Sequence, residues 1–238
     1  MKFAHIVNLG NFKLSDKYSD MHLLLYHWAK QSEKYNELCR NSKVYKIADN
    51  SQFELRREID YDDYLKWAIR VRVDEIIAPD IMYNYFKTKK LIENFTPLVP
   101  KNMRIQGVVS GKNLGELVRS WSFLENNENI DVIGVGKRSY VEKGLSLHKS
   151  RLKLFKCLQP TKPIHFLGVS DIQDFFIEGV RSIDGKFLCK IANHNKKIDL
   201  FTRVDRKRLQ VLFDLFETYQ INLRKNEKRQ KMYLSRLS

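Results

Sequence analysis

Two aspartates stand at the ends of short apolar runs, each followed at once by polar or glycine residues. One is Asp49 in Ile47-Ala-Asp-Asn-Ser-Gln-Phe-Glu54, the other Asp184 in Gly179-Val-Arg-Ser-Ile-Asp184. In an α/β chain that position is the carboxyl end of a strand, where parallel-sheet enzymes keep their chemistry. A lone strand-end Asp serves equally well as the cap of the next helix or turn. Two of them, from distant strands, are what a nucleophile and a general acid/base require. Other run ends add to the set: Ala78-Pro79-Asp80, Ile105-Gln106-Gly107, Gly134-Val-Gly-Lys137 and Phe166-Leu167-Gly168. Carboxylates, an amide, glycines and an aromatic on one face suit a flat, polar ligand such as a nucleobase. Asp and Gln read donor and acceptor edges, Gly107 and Gly134 let backbone approach, and Phe53 and Leu167 can sandwich a ring.

These residues need a scaffold that delivers them from many strands. Strand-like runs are predicted at Ala4–Leu9, Val44–Ala48, Glu75–Ala78, Arg104–Val109, Asp131–Val135, Ile164–Leu167, Val180–Ile183 and Phe187–Ala192. Helix-period apolar sets separate most of them, at Tyr61/Tyr64/Leu65/Ala68/Ile69, Leu114/Leu117/Val118/Trp121 and Leu209/Leu212/Phe213/Phe216. A first helix is predicted around Met21 to Cys39, behind polar residues at Ser15 and Ser19-Asp20. Eight strands alternating with amphipathic helices predict a single (β/α)8 TIM-like barrel, with an open doubly wound sheet as the alternative. The link between the last two strand-like runs is too short for a helix. With no repeat or linker in the sequence, residues 1–238 read as one domain carrying a basic C-terminal helix from about 205.

Charge narrows the partners. Lys and Arg number 43 against 28 Asp and Glu, a net +15, which predicts a polyanion, nucleic acid before an acidic membrane surface. Arg224, Lys225, Lys228, Arg229 and Lys231 concentrate near the C-terminus and are candidate phosphate contacts or, equally, a solvated helix end. Cys39, Cys157 and Cys189 are odd in number and far apart, which favours a reducing compartment over a disulfide framework and argues against structural zinc. The start of the sequence lacks a signal-peptide core and no apolar run reaches membrane-spanning length, so the expected location is cytoplasmic, with no membrane. His5, His22, His27, His148, His165 and His194 show no ligand spacing and read as core or surface residues. Asp184-Gly185-Lys186 with Pro79-Asp80 has a superficial likeness to a nuclease core, but that fold needs the two motifs on neighbouring strands of a small sheet.

Taken in order, the strand-end motifs resemble the tRNA-guanine transglycosylase (queuine and archaeosine) superfamily. That family carries Asp-Ser-Gly-Gly-(Phe/Tyr)-Gln, a Gln-Gly strand, a glycine-rich strand ending in Glu, Leu/Met-Gly-Val-Gly, and Gly-Val-Asp-x-Phe-Asp. The matching stretches here are Asp49-Asn-Ser-Gln-Phe53, Ile105-Gln-Gly-Val108, Ile133-Gly-Val-Gly-Lys137, Phe166-Leu-Gly-Val169 and Gly179-Val-Arg-Ser-Ile-Asp184, between about residues 44 and 192. The short chain is most similar to the phage and bacterial branch that places 7-deazaguanines into DNA.

The resemblance implies a base-exchanging pentosyltransferase with Asp184 as nucleophile and Asp49 as general acid/base. It implies Asp80, Gln106, Gly107 and Gly134 as readers of the base edge, with Phe53 and Leu167 on its faces. The implied partners are DNA, or alternatively tRNA, and a free 7-deazaguanine base; no cofactor is implied. The departures carry information too. The family's three-Cys, one-His zinc site has no counterpart, Ser51-Gln52 replaces Gly-Gly, and Lys137 stands where an acid is expected. A lysine there disfavours a cationic 7-substituent and suits a neutral nitrile. Loss of the zinc site and of an RNA-binding appendage, with the basic charge kept, favours DNA. The rival from another class is a non-catalytic nucleic-acid-binding barrel.

Overall fold

The computed structural model describes residues 1–169, 172–194 and 197–217. The chain divides into two compact units, one of Met1–Ile6 with Ser19–Lys186, the other of Val7–Tyr18 with the segment from Phe187. The first unit holds a closed barrel of eight parallel strands. They are β1 (Lys2–His5), β2 (Met21–Leu25), β3 (Tyr45–Asp49), β4 (Glu75–Ile77), β5 (Arg104–Val108), β6 (Val132–Gly136), β7 (Ile164–Leu167) and β8 (Val180–Gly185). Each pairs with the next in sequence, and β1 pairs with β8 to close the ring.

The helices, in chain order, are α1 (Phe12–Tyr18), α2 (Tyr26–Ala29), α3 (Glu33–Asn41), α4 (Gln52–Leu55), α5 (Tyr61–Arg70), α6 (Tyr85–Phe95), α7 (Leu114–Asn126), α8 (Leu147–Leu158) and α9 (Phe187–Ala192). The first and last belong to the second unit. Side-chain caps start the longer ones. Ser32, Asp60, Asn84, Asn113 and Ser146 each accept a hydrogen bond from the amide three residues on, which satisfies a donor the helix leaves open. The strands are rich in Ile, Val, Leu and Ala and buried on both faces, as a parallel sheet covered by helices demands.

The strand number is as expected, but two assignments change. Met21–Leu25 is β2 and not the start of a helix; the helical part of that stretch comes in two pieces, α2 and α3. Phe187–Ala192 is α9 and not a strand. The run ending at Asp184 is therefore the eighth strand, which removes the problem of a link too short for a helix. The first strand is also shorter than expected, ending at His5, with a turn of 3-10 helix over Leu9–Asn11. Two amphipathic faces are rotated from their expected positions: Ile69, Leu114 and Val118 are exposed, while Trp67, Ser120 and Leu124 are buried.

Inside the barrel, the amino-terminal end is closed by an ion pair. The β7–β8 register skips a residue, with Ile164 facing Val180 but His165 facing Ser182. Arg181 is the extra residue of that bulge. Its guanidinium crosses from β8 to β4 and makes two bonds to Glu75, at 2.7 and 3.0 Å. Tyr45 Oη on β3 donates to the same carboxylate at 2.9 Å. The second unit has its own contacts: the Leu9 amide donates to the Leu200 carbonyl at 3.1 Å, and the Tyr18 ring stacks on Phe213. Residues 206–217 are helical there. Arg224, Lys225, Lys228, Arg229 and Lys231 lie outside the described residues.

Candidate active site at the carboxyl end of the barrel

Asp184 is the fifth residue of β8, 3% exposed, and every oxygen of its carboxylate is held. Oδ1 accepts from the Gly168 amide at 3.1 Å, and Oδ2 lies 3.0 Å from His165 Nε2. His165 Nδ1 in turn lies 2.8 Å from Ser182 Oγ, so the imidazole bridges two residues of β8 from its place on β7. Gly168 has φ +75°, in the left-handed region, and this turn aims its amide back at Asp184. The result is a buried carboxylate oriented from two sides.

Asp49 ends β3 and is half-buried. Its Oδ1 accepts from the Ser51 amide, and Ser51 sits at φ 60°, a left-handed conformation that folds this short turn. Burial holds the Asp49 carboxyl well above the usual carboxylate range, and repulsion from Glu54, Asp184 and Asp80 adds to the rise against the Ser51 bond. Asp80 follows β4 and is 9% exposed. Burial raises it to about 6, with the hydrogen bond from Asn50 opposing. Asn50 ties the two strand ends together: Nδ2 donates to Asp80 Oδ1 at 3.0 Å and to the Ala78 carbonyl at 3.2 Å, while Oδ1 accepts from the Gln52 amide. Glu54 is reached by solvent yet surrounded by protein. Burial raises its carboxyl, Lys186 and Lys137 oppose the rise, and Asp184 adds to it.

Below these acids lies Gln106. It is fully buried on β5, and neither its Oε1 nor its Nε2 has a hydrogen-bond partner among the described residues. Gly134 on β6 makes room for it: a Cβ there would stand 2.6 Å from Gln106 Nε2 and 3.2 Å from a Leu167 methyl. Phe53 is 46% exposed on α4, and Lys137 Nζ lies 5.8 Å from the centre of its ring. The structure thus gathers Asp49, Asp80, Asp184, Gln106, Gly134, Leu167, Phe53 and Lys137 at one end of the barrel. Gly107 is different. Its Cβ position meets Leu124 at 2.4 Å, so it faces α7 and serves close strand–helix packing.

Four participants have no place in the expected set: His165, Asn50, Glu54 and Lys186. His165 is the most telling, because core or surface is the expected role of every histidine here. His5 and His22 fit that role; both are buried and face each other on β1 and β2, where burial and His22 hold His5 well below its usual value. His165 is buried as well, but against Asp184. Parity along the strand is the signal that could have found it: Ile164 and Phe166 are the apolar outer positions, which turns His165 and Leu167 inward with Ser182 and Asp184.

Among the described residues, no group of three His, Cys, Asp or Glu side chains is arranged to hold a metal ion, and no helix is long and apolar enough to cross a membrane. No protein-family model matches the chain, and no curated protein is significantly similar to it. What the arrangement can do chemically is carry out a two-carboxylate displacement on a bound polar ring. It has a carboxylate oriented from two sides at Asp184, a carboxyl raised by its surroundings at Asp49, and at Gln106 a buried amide without a partner among the described residues.

Proposed function

We propose that this protein is a DNA-guanine transglycosylase that exchanges guanine in DNA for a 7-deazaguanine base, such as 7-cyano-7-deazaguanine. The observation that carries the reading is the convergence of Asp49 and Asp184, from β3 and β8, on the barrel end that also holds Gln106, whose buried amide has no partner among the described residues. An Asp184 oxygen attacks C1′ of a flipped guanosine, forming a C–O bond as the bond from C1′ to guanine N9 breaks. Asp49, whose carboxyl is raised by burial and by its acidic neighbours, gives its proton to the departing guanine. The Asp49 carboxylate then takes the N9 proton of the incoming base. That nitrogen attacks C1′, and Asp184 leaves as a carboxylate.

Asp80 and Gln106 have the acceptors and donors that match the guanine-like edge shared by both bases. Lys137 beside Phe53 favours a neutral 7-substituent over a cationic one. The net charge of +15 supports a polyanionic substrate. The test is incubation with duplex DNA, isotopically labelled 7-cyano-7-deazaguanine and a chelator, followed by nucleoside analysis. Label in DNA is the expected result. Label in tRNA alone would move the substrate to tRNA, and label in neither, with 7-aminomethyl and 7-amidino bases also tried, would favour a non-catalytic nucleic-acid-binding barrel.

A further inference from the structure

The Asp184 carboxylate is aimed by the Gly168 peptide, and that peptide is itself held from outside the barrel. Arg151, in the middle of α8, is 1% exposed, which is rare for an arginine and demands partners. One terminal nitrogen donates to the Leu167 carbonyl at 3.1 Å and to the Gly168 carbonyl at 2.9 Å. The other donates to Asp174 Oδ2 at 3.3 Å. The opposite oxygen of Asp174, which is fully buried, lies 2.8 Å from His148 Nδ1. The guanidinium also lies over the ring of Phe166, 4.8 Å from its centre. One planar group therefore grips two successive carbonyls at the end of β7. The second of these carbonyls belongs to the residue whose amide meets the carboxylate.

We infer that Arg151 is a positioning residue for Asp184, acting through the Leu167–Gly168 peptide groups, with Asp174 and His148 fixing the guanidinium. Three features make the coupling specific. Gly168 is left-handed, and the backbone bonds on either side of it, from the Lys137 amide to the Leu167 carbonyl and from the Val169 amide to the Asp184 carbonyl, leave the Gly168 carbonyl itself to Arg151. Arg151 donates three hydrogen bonds from the two terminal nitrogens of one rigid plane, which fixes orientation as well as distance. The same helix also holds the neighbouring loop, because Ser150 Oγ accepts from the Glu142 amide at 3.1 Å and Lys153 pairs with Glu142. The Lys137 amide, from that loop, closes the set by donating to the Leu167 carbonyl at 3.0 Å. Arg151 touches no reacting atom. It sets where the carboxylate points.

The positioning role concerns a carboxylate whose catalytic part rests on the proposed transglycosylase reading, so the experiment has one arm that needs no activity. The chain contains ten glycines, few enough for each amide to be followed after selective 15N-glycine labelling. In the parent, Asp184→Asn identifies the Gly168 signal by its shift. Arg151→Met is expected to move that signal and to speed Gly168 amide exchange at least about tenfold, while the Gly134 and Gly107 signals stay in place. Arg151→Lys, which keeps the charge without the fork, should have most of the same effect, and the milder Asp174→Asn part of it. An unchanged Gly168 amide in a folded Arg151→Met or Asp174→Asn protein overturns the inference.

The second arm is the rate of adduct formation with a guanine-containing oligonucleotide. It should fall on the order of a hundredfold in Arg151→Met with little change in KM for the free base, as expected when a reacting group is misplaced. A parent that forms no adduct refutes the transglycosylase reading and leaves the glycine measurement to decide the positioning role. Equal adduct rates in parent and Arg151→Met would overturn the role directly.

Discussion

The two ends of the barrel treat buried charge in opposite ways. At the amino-terminal end, Glu75 is fully buried, but Arg181 gives it two hydrogen bonds and Tyr45 a third. At the carboxyl end, Asp49, Asp80, Asp184 and Glu54 crowd together, and for Asp49, Asp80 and Glu54 burial raises the carboxyl, with acidic neighbours adding to the rise at Asp49 and Glu54. Gln106 lies beneath them with both amide atoms unpartnered among the described residues. One end matches its buried acid with a cation, and the other leaves the carboxyls of Asp49, Asp80 and Glu54 raised. A matched network costs little to keep and is costly to break. An unmatched one is a standing cost that persists where a ligand completes it. Position in the barrel thus separates the acid paired within the fold from the acids to which the proposed reading gives the chemistry.

The largest effect that could break this contrast is at the satisfied end. Arg181→Met leaves Glu75 buried without its cation and is expected to cost about 3–5 kcal/mol of stability. Adding Glu75→Gln should recover most of the loss, as read by chemical denaturation. A single variant as stable as the parent would show that the pair does not close the barrel. At the other end the sign reverses. Asp80 is raised from 3.8 to about 6 on folding, so ionising it opposes folding. Stability from this residue is greatest below 3.8 and is lost as pH rises through about 6. Asp80→Asn is expected to stabilise at pH 7, by at most roughly 3 kcal/mol at 1.4 kcal/mol per pH unit, and to flatten the stability curve between pH 4 and 7. The same titration runs the other way for function: base exchange should weaken as pH falls through about 6, because the protonated acid no longer accepts from the guanine edge. A destabilised Asp80→Asn protein would contradict the account.

Smaller effects sharpen it. Gln106→Leu removes two buried polar atoms that have no partner among the described residues and should be neutral or stabilising by about 1–2 kcal/mol, while weakening capture of the free base in equilibrium binding. A loss of stability would mean that the amide is satisfied within the fold. The smallest expected effect is one of selectivity. Lys137→Glu should move the preference several-fold from a neutral to a cationic 7-substituent, measured as competition between 7-cyano and 7-aminomethyl bases.

How much of this was legible in the sequence differs by element. The acids at run ends were legible, because a polar residue that terminates a buried strand is a local feature. The number of strands was also legible, though Met21-His-Leu-Leu-Leu25 merges into helix-forming residues, and Phe187-Leu-Cys-Lys-Ile-Ala192 is a short apolar run that periodicity alone does not assign. His165 was half legible: parity places it inside, but its contact with Asp184 depends on the β7–β8 register, and the bulge at Arg181 shifts that register. The Arg181–Glu75 bridge depends on the same bulge, and simple alternation would have turned Arg181 outward. Arg151 was not legible at all. It sits among basic residues in Leu147-His-Lys-Ser-Arg-Leu-Lys, and only the packed helix tells the buried His148 and Arg151 from the exposed Lys149.

In the proposed reaction Asp184 becomes covalently joined to C1′ during exchange. Incubating the parent protein with a guanine-containing DNA oligonucleotide, quenching in acid and measuring intact mass should show protein plus DNA less guanine, and proteolysis should place the link on Asp184. Asp184→Ala should give no adduct while binding the same DNA within a few-fold of the parent, since phosphate contacts supply most of the affinity. An adduct that persists in Asp184→Asn, or that maps to Asp49, would rule out Asp184 as the nucleophile.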